Sequence, residues 1–116
     1  MVQYPDATLD AVFAALADPT RRAVLATLSE GSLSVTELAS PHRMSLPGFM
    51  KHLRVLEEAG LIARSKDGRV VHCTLSARPM QEAAAWLSHY EKFWHESLDR
   101  LGDYLRELQD QEKKSE

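Results

Sequence analysis

An Asp-Gly pair between two short segments rich in apolar and β-branched residues most restricts what this chain can fold into. The pair is Asp67-Gly68, and the flanking segments are 61–66 and 69–75. Because aspartate and glycine both tolerate positive φ angles, the pair predicts a two-residue turn and a β-hairpin over 61–75. No other segment gives a comparable strand signal, so we expect a mainly α-helical protein with one small hairpin.

Helical patterns fill the sequence before the hairpin. Apolar residues recur at spacings of three and four from Leu9 to Leu16, which predicts an amphipathic first helix. Asp18-Pro19 then favours a new helix start, since aspartate is a good N-cap and proline is tolerated at the first helical position. The second helix is expected to end near Gly31.

Two further helices follow in quick succession. Ser34-Val35-Thr36-Glu37 fits a capping box, which predicts a short third helix. Ser45 is suited to cap a fourth, whose apolar stripe is Leu46, Phe49, Leu53 and Leu56. Two short helices joined by a few residues, followed by a hairpin, are typical of a winged helix-turn-helix.

The last third of the chain predicts a single long helix over 79–109. Its apolar residues follow a heptad-like seam: Leu87, Tyr90, Trp94, Leu98, Leu101, Leu105 and Leu108. So small a domain has nothing against which to bury such a helix, so the pattern indicates a homodimer. The expected architecture is α-α-α-α-β-β-α, with residues 1–116 forming one domain, a core region at 9–78 and terminal helices that dimerise.

Charge is distributed unevenly along a chain of 116 residues with a net charge of −3. Residues 20–78 contain nine lysines and arginines against five acids, whereas residues 79–116 contain five against nine. A basic middle segment suits a phosphate-binding surface, although a chance excess on a solvated face is equally compatible with charge alone. No membrane span or signal peptide is apparent, so we expect a cytoplasmic protein without a membrane partner.

Three segments together resemble one known family. They are 16–22 (LADPTRR), 34–39 (SVTELA) and 51–62 (KHLRVLEEAGLI), and in this order and spacing they are similar to the ArsR/SmtB family of winged-helix repressors. The resemblance implies a dimer built from the first and last helices. It also implies that the fourth helix enters the major groove of double-stranded DNA, while the hairpin reaches the adjacent backbone or minor groove.

Candidate site residues follow from this resemblance and from helix spacing. The fourth helix turns Pro47, Lys51, Arg54 and Glu58 away from its apolar stripe, with Met50 or Pro47 available to a thymine methyl group. The candidate DNA-binding residues are Ser45, Pro47, Gly48, Lys51, Arg54 and Arg69. The candidate dimer-interface residues are Leu9, Phe13, Leu87, Tyr90, Trp94, Leu98, Leu101 and Leu105.

Three other polar positions have less specific expectations. Arg21 and Arg22 are free to pair with acids on the first helix or in a partner subunit. His52 borders the apolar stripe of the fourth helix and is expected to be a packed, hydrogen-bonded histidine.

Metal ligands of the kind used by many members of that family are incomplete here. The third helix has no cysteine pair, and Cys73 is the only cysteine, expected to be a small apolar strand residue. The last helix holds His89, His95, Glu96 and Asp99, which only half match a metal-ligand spacing. We therefore predict no metal site, no cofactor and no catalytic residues.

The predicted function is a sequence-specific transcriptional regulator, most simply a homodimeric repressor on a pseudo-palindromic operator. Two alternatives remain: a metal-sensing repressor that uses the last helix, and a protein-interaction module on a winged-helix scaffold. The sequence contains no Gly-rich phosphate loop or nucleophile with a triad-like setting, which disfavours an enzyme. It names no effector.

Overall fold

The computed structural model describes residues 4–115, so the outermost residues of the predicted 1–116 domain lie outside it. The helices are α1 (Tyr4–Leu16), α2 (Pro19–Leu28), α3 (Val35–Ala39), α4 (Leu46–Glu58), α5 (Arg78–Ser88) and α6 (Glu91–Ser115). The strands are β1 (Leu33–Ser34), β2 (Ile62–Asp67) and β3 (Val70–Leu75). The mainly helical winged helix-turn-helix predicted from the sequence is confirmed, with two corrections to its element order.

The first correction is a third strand. β2 and β3 form the predicted hairpin, but Asp67 pairs with Val70 as the last residue of β2, so the two turn residues are Gly68 and Arg69 rather than Asp67 and Gly68. Only Gly68 of these adopts a positive φ, at 64°. β1 pairs antiparallel with the other edge of β3, giving the order β1-β3-β2. At two residues, β1 is too short to show an alternating pattern in the sequence.

The predicted helix starts are confirmed. Asp18 accepts the Arg21 backbone N–H at the start of α2, and Ser45 accepts the Gly48 N–H at the start of α4. Ser34 and Glu37 form the reciprocal capping box of α3, at 3.1 and 3.0 Å. These caps satisfy amide groups that a helix cannot pair internally, which fixes where each short helix begins.

One core lies beneath α4 and the sheet. Phe49, Leu53 and Leu56 of α4 are buried against apolar residues of α1, α2, α3 and the strands: Ala15, Val24, Leu25, Leu28, Leu38, Leu61, Ile62 and Cys73. Leu46, predicted to share this stripe, is instead 58% exposed. It is the first residue of α4 and lies at the end of the helix, where its spacing relative to Phe49 does not ensure burial.

The second correction concerns the C-terminal region. The single helix predicted over 79–109 is wrong, because α5 ends at Ser88 and α6 begins at Glu91. At the break, the backbone N–H groups of His89 and Tyr90 bond to carbonyls three residues back, and the Ser88 hydroxyl donates to the Ala85 carbonyl at 2.6 Å. Such short-range bonds tighten a last helical turn and compete with its continuation.

Close contacts divide the chain after Ala83 into two compact units, and the division falls within α5. In the first unit, Met80 packs against the core and Ala83 is buried. The second unit contains the remainder of α5 and all of α6. None of the helices within residues 4–115 combines the length and apolar character needed to cross a bilayer.

Candidate nucleic-acid interface

The first turn of α4 presents a surface with few hydrogen-bond donors. Ser45, Leu46 and Pro47 are exposed, and Gly48 is half-buried. Proline has no amide hydrogen, and the Gly48 N–H is held by the Ser45 hydroxyl oxygen at 3.2 Å. A Cβ at Gly48 would lie 3.2 Å from that same oxygen. The close approach of the capping hydroxyl therefore favours glycine at this position.

Two basic side chains continue the exposed face of α4. Lys51 and Arg54 are both exposed, on the side away from Phe49, Leu53 and Leu56. The sequence-predicted residues of α4 are thus brought together on one solvent-facing helix surface. Their roles toward DNA remain predictions.

An ion pair that the sequence analysis missed ties α4 to the hairpin. The Arg64 guanidinium on β2 donates to Glu57 Oε1 on α4 through Nη2 at 2.6 Å and Nε at 3.1 Å. Hydrogen bonds from Arg64 lower the pKa of the Glu57 carboxyl, and the same pairing raises the pKa of Arg64. The pair joins the base of the hairpin to the end of α4.

The hairpin tip carries the remaining predicted DNA-binding residue. Arg69 follows Gly68 in the turn and is exposed, as are Lys66 and Val70 beside it. The hairpin therefore ends in two basic side chains, Lys66 and Arg69, on either side of Asp67-Gly68.

The guanidinium groups of Arg21 and Arg22 both donate to carbonyl oxygens at the end of α1, a role the sequence does not predict. Arg21 reaches the Ala15 carbonyl through Nε at 2.8 Å and the Ala14 carbonyl through Nη2 at 3.0 Å. Arg22 reaches the Leu16 carbonyl at 2.7 Å. Cations at a helix C-terminus satisfy its unpaired carbonyls and oppose its dipole, so these arginines join α2 to α1.

His52 extends the Arg21 network to α4. Its Nδ1 lies 3.1 Å from Arg21 Nη1 and 3.7 Å from Asp18 Oδ2. The backbone N–H of Arg21 is the largest cause that lowers the pKa of Asp18. His52 is half-buried, which confirms the expectation of a packed, hydrogen-bonded histidine.

The predicted dimer residues divide between the two ends of the chain. Leu9 and Phe13 on α1 are half-buried. In the second unit, apolar side chains remain broadly exposed along one stripe of α6: Trp94, Leu98, Leu101, Leu105 and Leu108. Leu87 and Tyr90 precede this stripe and are also exposed.

The residues present do not fit a metal site of the thiolate type. α3 contains no cysteine, and Cys73 is fully buried on β3, where burial raises the pKa of its thiol. An intersubunit bond through Cys73 would require this strand to open. His95 pairs instead with Glu91 at 3.3 Å, and His89 Nδ1 lies 3.1 Å from the Trp86 carbonyl. Among the described residues, no three histidine, cysteine or acidic side chains cluster as metal ligands would.

Comparison with known proteins defines the class. A family model described as a helix-turn-helix domain matches residues 16–64. A solved ArsR family transcriptional regulator is 48% identical with a TM-score of 0.73, covering 82% of this chain and 97% of its own. The fold and these matches define a winged helix-turn-helix regulator that binds DNA.

Two curated relatives narrow the class to a family. The arsenical resistance operon repressor of Escherichia coli (strain K12) is 38% identical over 87 residues, which cover 70% of this chain and 74% of the repressor. The transcriptional repressor SdpR of Bacillus subtilis (strain 168) is 29% identical over 79 residues, covering 68% and 88%. The chain belongs to the ArsR/SmtB family of transcriptional regulators.

Proposed function

We propose that this protein is a homodimeric repressor that binds a pseudo-palindromic operator, with the whole chain acting as one winged-helix domain. The observation that carries the proposal is the exposed, basic face of α4, the second helix of the helix-turn-helix. Two relatives that are named repressors support the direction of regulation. A regulator of bacterial type acts where the DNA is, so we propose a cytoplasmic location.

On α4, Lys51 is assigned to base recognition and Arg54 to a phosphate or a base edge. Recognition helices place their N-terminal residues against bases in the major groove. Lys51 lies one turn into α4, and a lysine there can reach the O6 and N7 acceptors of guanine. Ser45, Pro47 and Gly48 form the leading turn, where the small Gly48 permits close approach to DNA.

On the hairpin, Arg69 is assigned to the minor groove or the adjacent phosphate. An arginine at a hairpin tip suits the negative potential of a narrow minor groove. The Glu57–Arg64 pair, which joins hairpin and α4, would hold Arg69 and Lys51 at a fixed separation along the duplex.

The second copy would be recruited through the apolar stripe of α6 together with Leu9 and Phe13 of α1. Two recognition helices must reach successive major grooves, roughly 34 Å apart, and a two-fold interface sets that distance. The broad exposure of the stripe in one chain supports a partner of the same kind. No catalytic role is proposed for any residue.

The test is binding of the full-length protein to duplex DNA from upstream of its own gene, compared with random duplex. Specific binding should weaken steeply as salt rises, because phosphate contacts release counterions. Lys51→Ala should weaken specific binding by about 1 to 3 kcal/mol and random binding less. Arg69→Ala should lower the slope of log affinity against log salt by about one if Arg69 meets a phosphate.

Lys92→Ala on α6 is the matched control, since it removes an exposed lysine outside the proposed interface. Affinity that does not change with salt, or equal affinity of all three variants and wild type, would contradict the proposal. Specific capture of another protein in place of DNA would support the interaction-module alternative. Release of DNA by zinc or arsenite, reversed by a chelator, would restore the metal-sensing alternative.

A further inference from the structure

We propose that Leu46 is a specificity-determining residue that reads the C5 methyl group of a thymine in the major groove. This inference rests on the proposed operator binding and adds the chemistry of one contact. It also changes the sequence expectation, in which Leu46 belongs to the core and Met50 or Pro47 is the candidate for the thymine methyl.

The first argument is that the exposure of Leu46 and Met50 is the opposite of what the sequence predicts. Leu46 is 58% exposed, whereas Met50 is half-buried and packs against the core. Met50 is therefore committed to packing within the chain, and Leu46 is the larger apolar surface at the leading end of α4. A single exposed leucine is ordinary on a protein surface, so its position decides the argument.

The second argument is that position. Leu46 is the first residue of α4, next to exposed Pro47 and two residues after exposed Met44. The leading residues of a recognition helix meet base edges, and Lys51 and Arg54 give the same helix a basic flank. An apolar helix start followed along the same helix by two exposed cations suits a DNA groove better than another protein surface.

The third argument is the scarcity of hydrogen-bond donors in that turn. Pro47 has no amide hydrogen, and the Gly48 N–H is held by Ser45. With these two amide hydrogens unavailable, the exposed Ser45 hydroxyl keeps its own O–H to donate, and the Leu46 side chain adds apolar contact. In the major groove, a T·A pair differs from the other base pairs in its donor and acceptor pattern and in the apolar C5 methyl group of thymine. The methyl group is the feature that an apolar side chain can recognise.

The experiment replaces thymine by deoxyuridine, which removes only the methyl group. Full-length protein first selects duplexes from a random-sequence pool, and each thymine of the selected duplex is then replaced singly. Wild type should lose affinity by about threefold to fivefold at one thymine per half-site, the amount expected for one buried methyl. Replacing all other thymines should have smaller effects.

Leu46→Ala tests whether this residue is responsible. The Leu46→Ala variant should bind the thymine duplex about as weakly as wild type binds the deoxyuridine duplex. For this variant, the ratio of its affinity for the thymine duplex to its affinity for the deoxyuridine duplex should fall to about one. Since Leu46 is exposed, the midpoint of thermal unfolding should be unchanged, which separates a lost contact from a damaged fold.

Val70→Ala is the matched control, because Val70 is an exposed apolar residue on the hairpin. The minor groove displays no thymine methyl, so Val70→Ala should keep the wild-type ratio between thymine and deoxyuridine duplexes. An unchanged ratio in Leu46→Ala, or no thymine at which wild type is sensitive, would overturn the inference while leaving operator binding intact. Failure to select any sequence would overturn operator binding itself, and with it this inference.

Discussion

The two compact units differ in whether their apolar side chains are buried or exposed. In the first, ending at Ala83, most large apolar side chains pack into or against one core, and Leu53 and Leu56 are completely inaccessible. Leu46 and Val70 are the exposed exceptions on α4 and the strands. In the second, starting at Ala84, the aromatic and leucine side chains are exposed, and Leu98 reaches 61%.

This difference separates a unit that buries its own apolar side chains from one that leaves them exposed. The first unit has capped helices, a paired hairpin and a closed core, so its sequence specifies its own fold. α6 is a 25-residue helix whose apolar stripe has no cover in the described chain. Exposed apolar stripes of this length are typical of surfaces that another protein covers, and the homodimer proposed above would place a second copy of the stripe against it.

The largest expected effect comes from charging the stripe. Leu98→Glu with Leu101→Glu should convert the protein to a monomer in sedimentation and lower operator affinity by about two orders of magnitude or more. Two acids facing their counterparts across a two-fold interface repel each other and lose the apolar contact. The α4 surface would remain intact in this variant.

Arg100→Glu is the control, since it makes the same change in net charge at an exposed α6 position outside the stripe. It should remain dimeric. If the double variant sediments as a monomer yet binds the operator as tightly as wild type, the homodimer is unnecessary for recognition.

A second prediction contrasts one leucine from each unit. Leu53→Ala should lower the free energy of unfolding by about 2 to 5 kcal/mol through the cavity it leaves, with no change in the dimer dissociation constant. Leu101→Ala should do the reverse and mainly weaken dimerisation. Urea unfolding measures the free energy of unfolding, and sedimentation equilibrium measures the dimer dissociation constant. A large rise of the dissociation constant in Leu53→Ala would contradict the prediction that the two units act separately.

Features specified by neighbouring residues were predictable from the sequence. Asp18, Ser34 and Ser45 cap the helices they are expected to cap. The hairpin forms where the Asp-Gly pair predicts it, but its two turn residues are Gly68 and Arg69, one position later than expected. These signals are local, because a cap or a two-residue turn depends on groups within a few positions in the chain.

Features that depend on three-dimensional surroundings were not predictable. Leu46 is exposed because the core ends before it, which helix spacing alone does not reveal. The break between α5 and α6 leaves no mark in the sequence, because the heptad-like spacing of apolar residues continues through it. Arg21 and Arg64 bond to residues on other helices or strands, and no local pattern identifies such partners. Five of the six proposed DNA-binding residues are exposed in the described chain, and Gly48 is half-buried: Ser45, Pro47, Lys51, Arg54 and Arg69 are the exposed ones. Exposure is compatible with their proposed roles, which binding experiments must decide.

A third prediction concerns the arginine network within the first unit. Arg21→Lys keeps the charge but loses the planar fork that joins the Ala14 and Ala15 carbonyls to His52, so unfolding should cost about 1 to 2 kcal/mol less. Arg22→Lys affects a single exposed hydrogen bond, to the Leu16 carbonyl, and should lower the free energy of unfolding by less than about 0.5 kcal/mol. Equal effects in urea unfolding would contradict the networked role of Arg21.

The smallest expected effect is a pH dependence of the Glu57–Arg64 pair. Because Arg64 lowers the pKa of Glu57 in the folded state, the pair contributes stability that is complete above the unfolded pKa. That stability is lost as the pH falls from near the ordinary value of 4.5 through the lower folded pKa. Glu57→Gln should therefore be less stable than wild type at pH 7 by about 0.5 to 1 kcal/mol, a small amount because both side chains are partly exposed.

On acidification the two proteins should converge, since a protonated Glu57 is neutral like the glutamine that replaces it. Urea unfolding at pH 7 and below pH 4 measures the difference, with Glu58→Gln, an exposed neighbour, as the control. The pair lies wholly within the first unit, so the difference should be the same at low and high protein concentration. If the stability difference between Glu57→Gln and wild type instead grew on dilution, the Glu57–Arg64 pair would be coupled to dimerisation. The first unit would then not be independent of the proposed dimer.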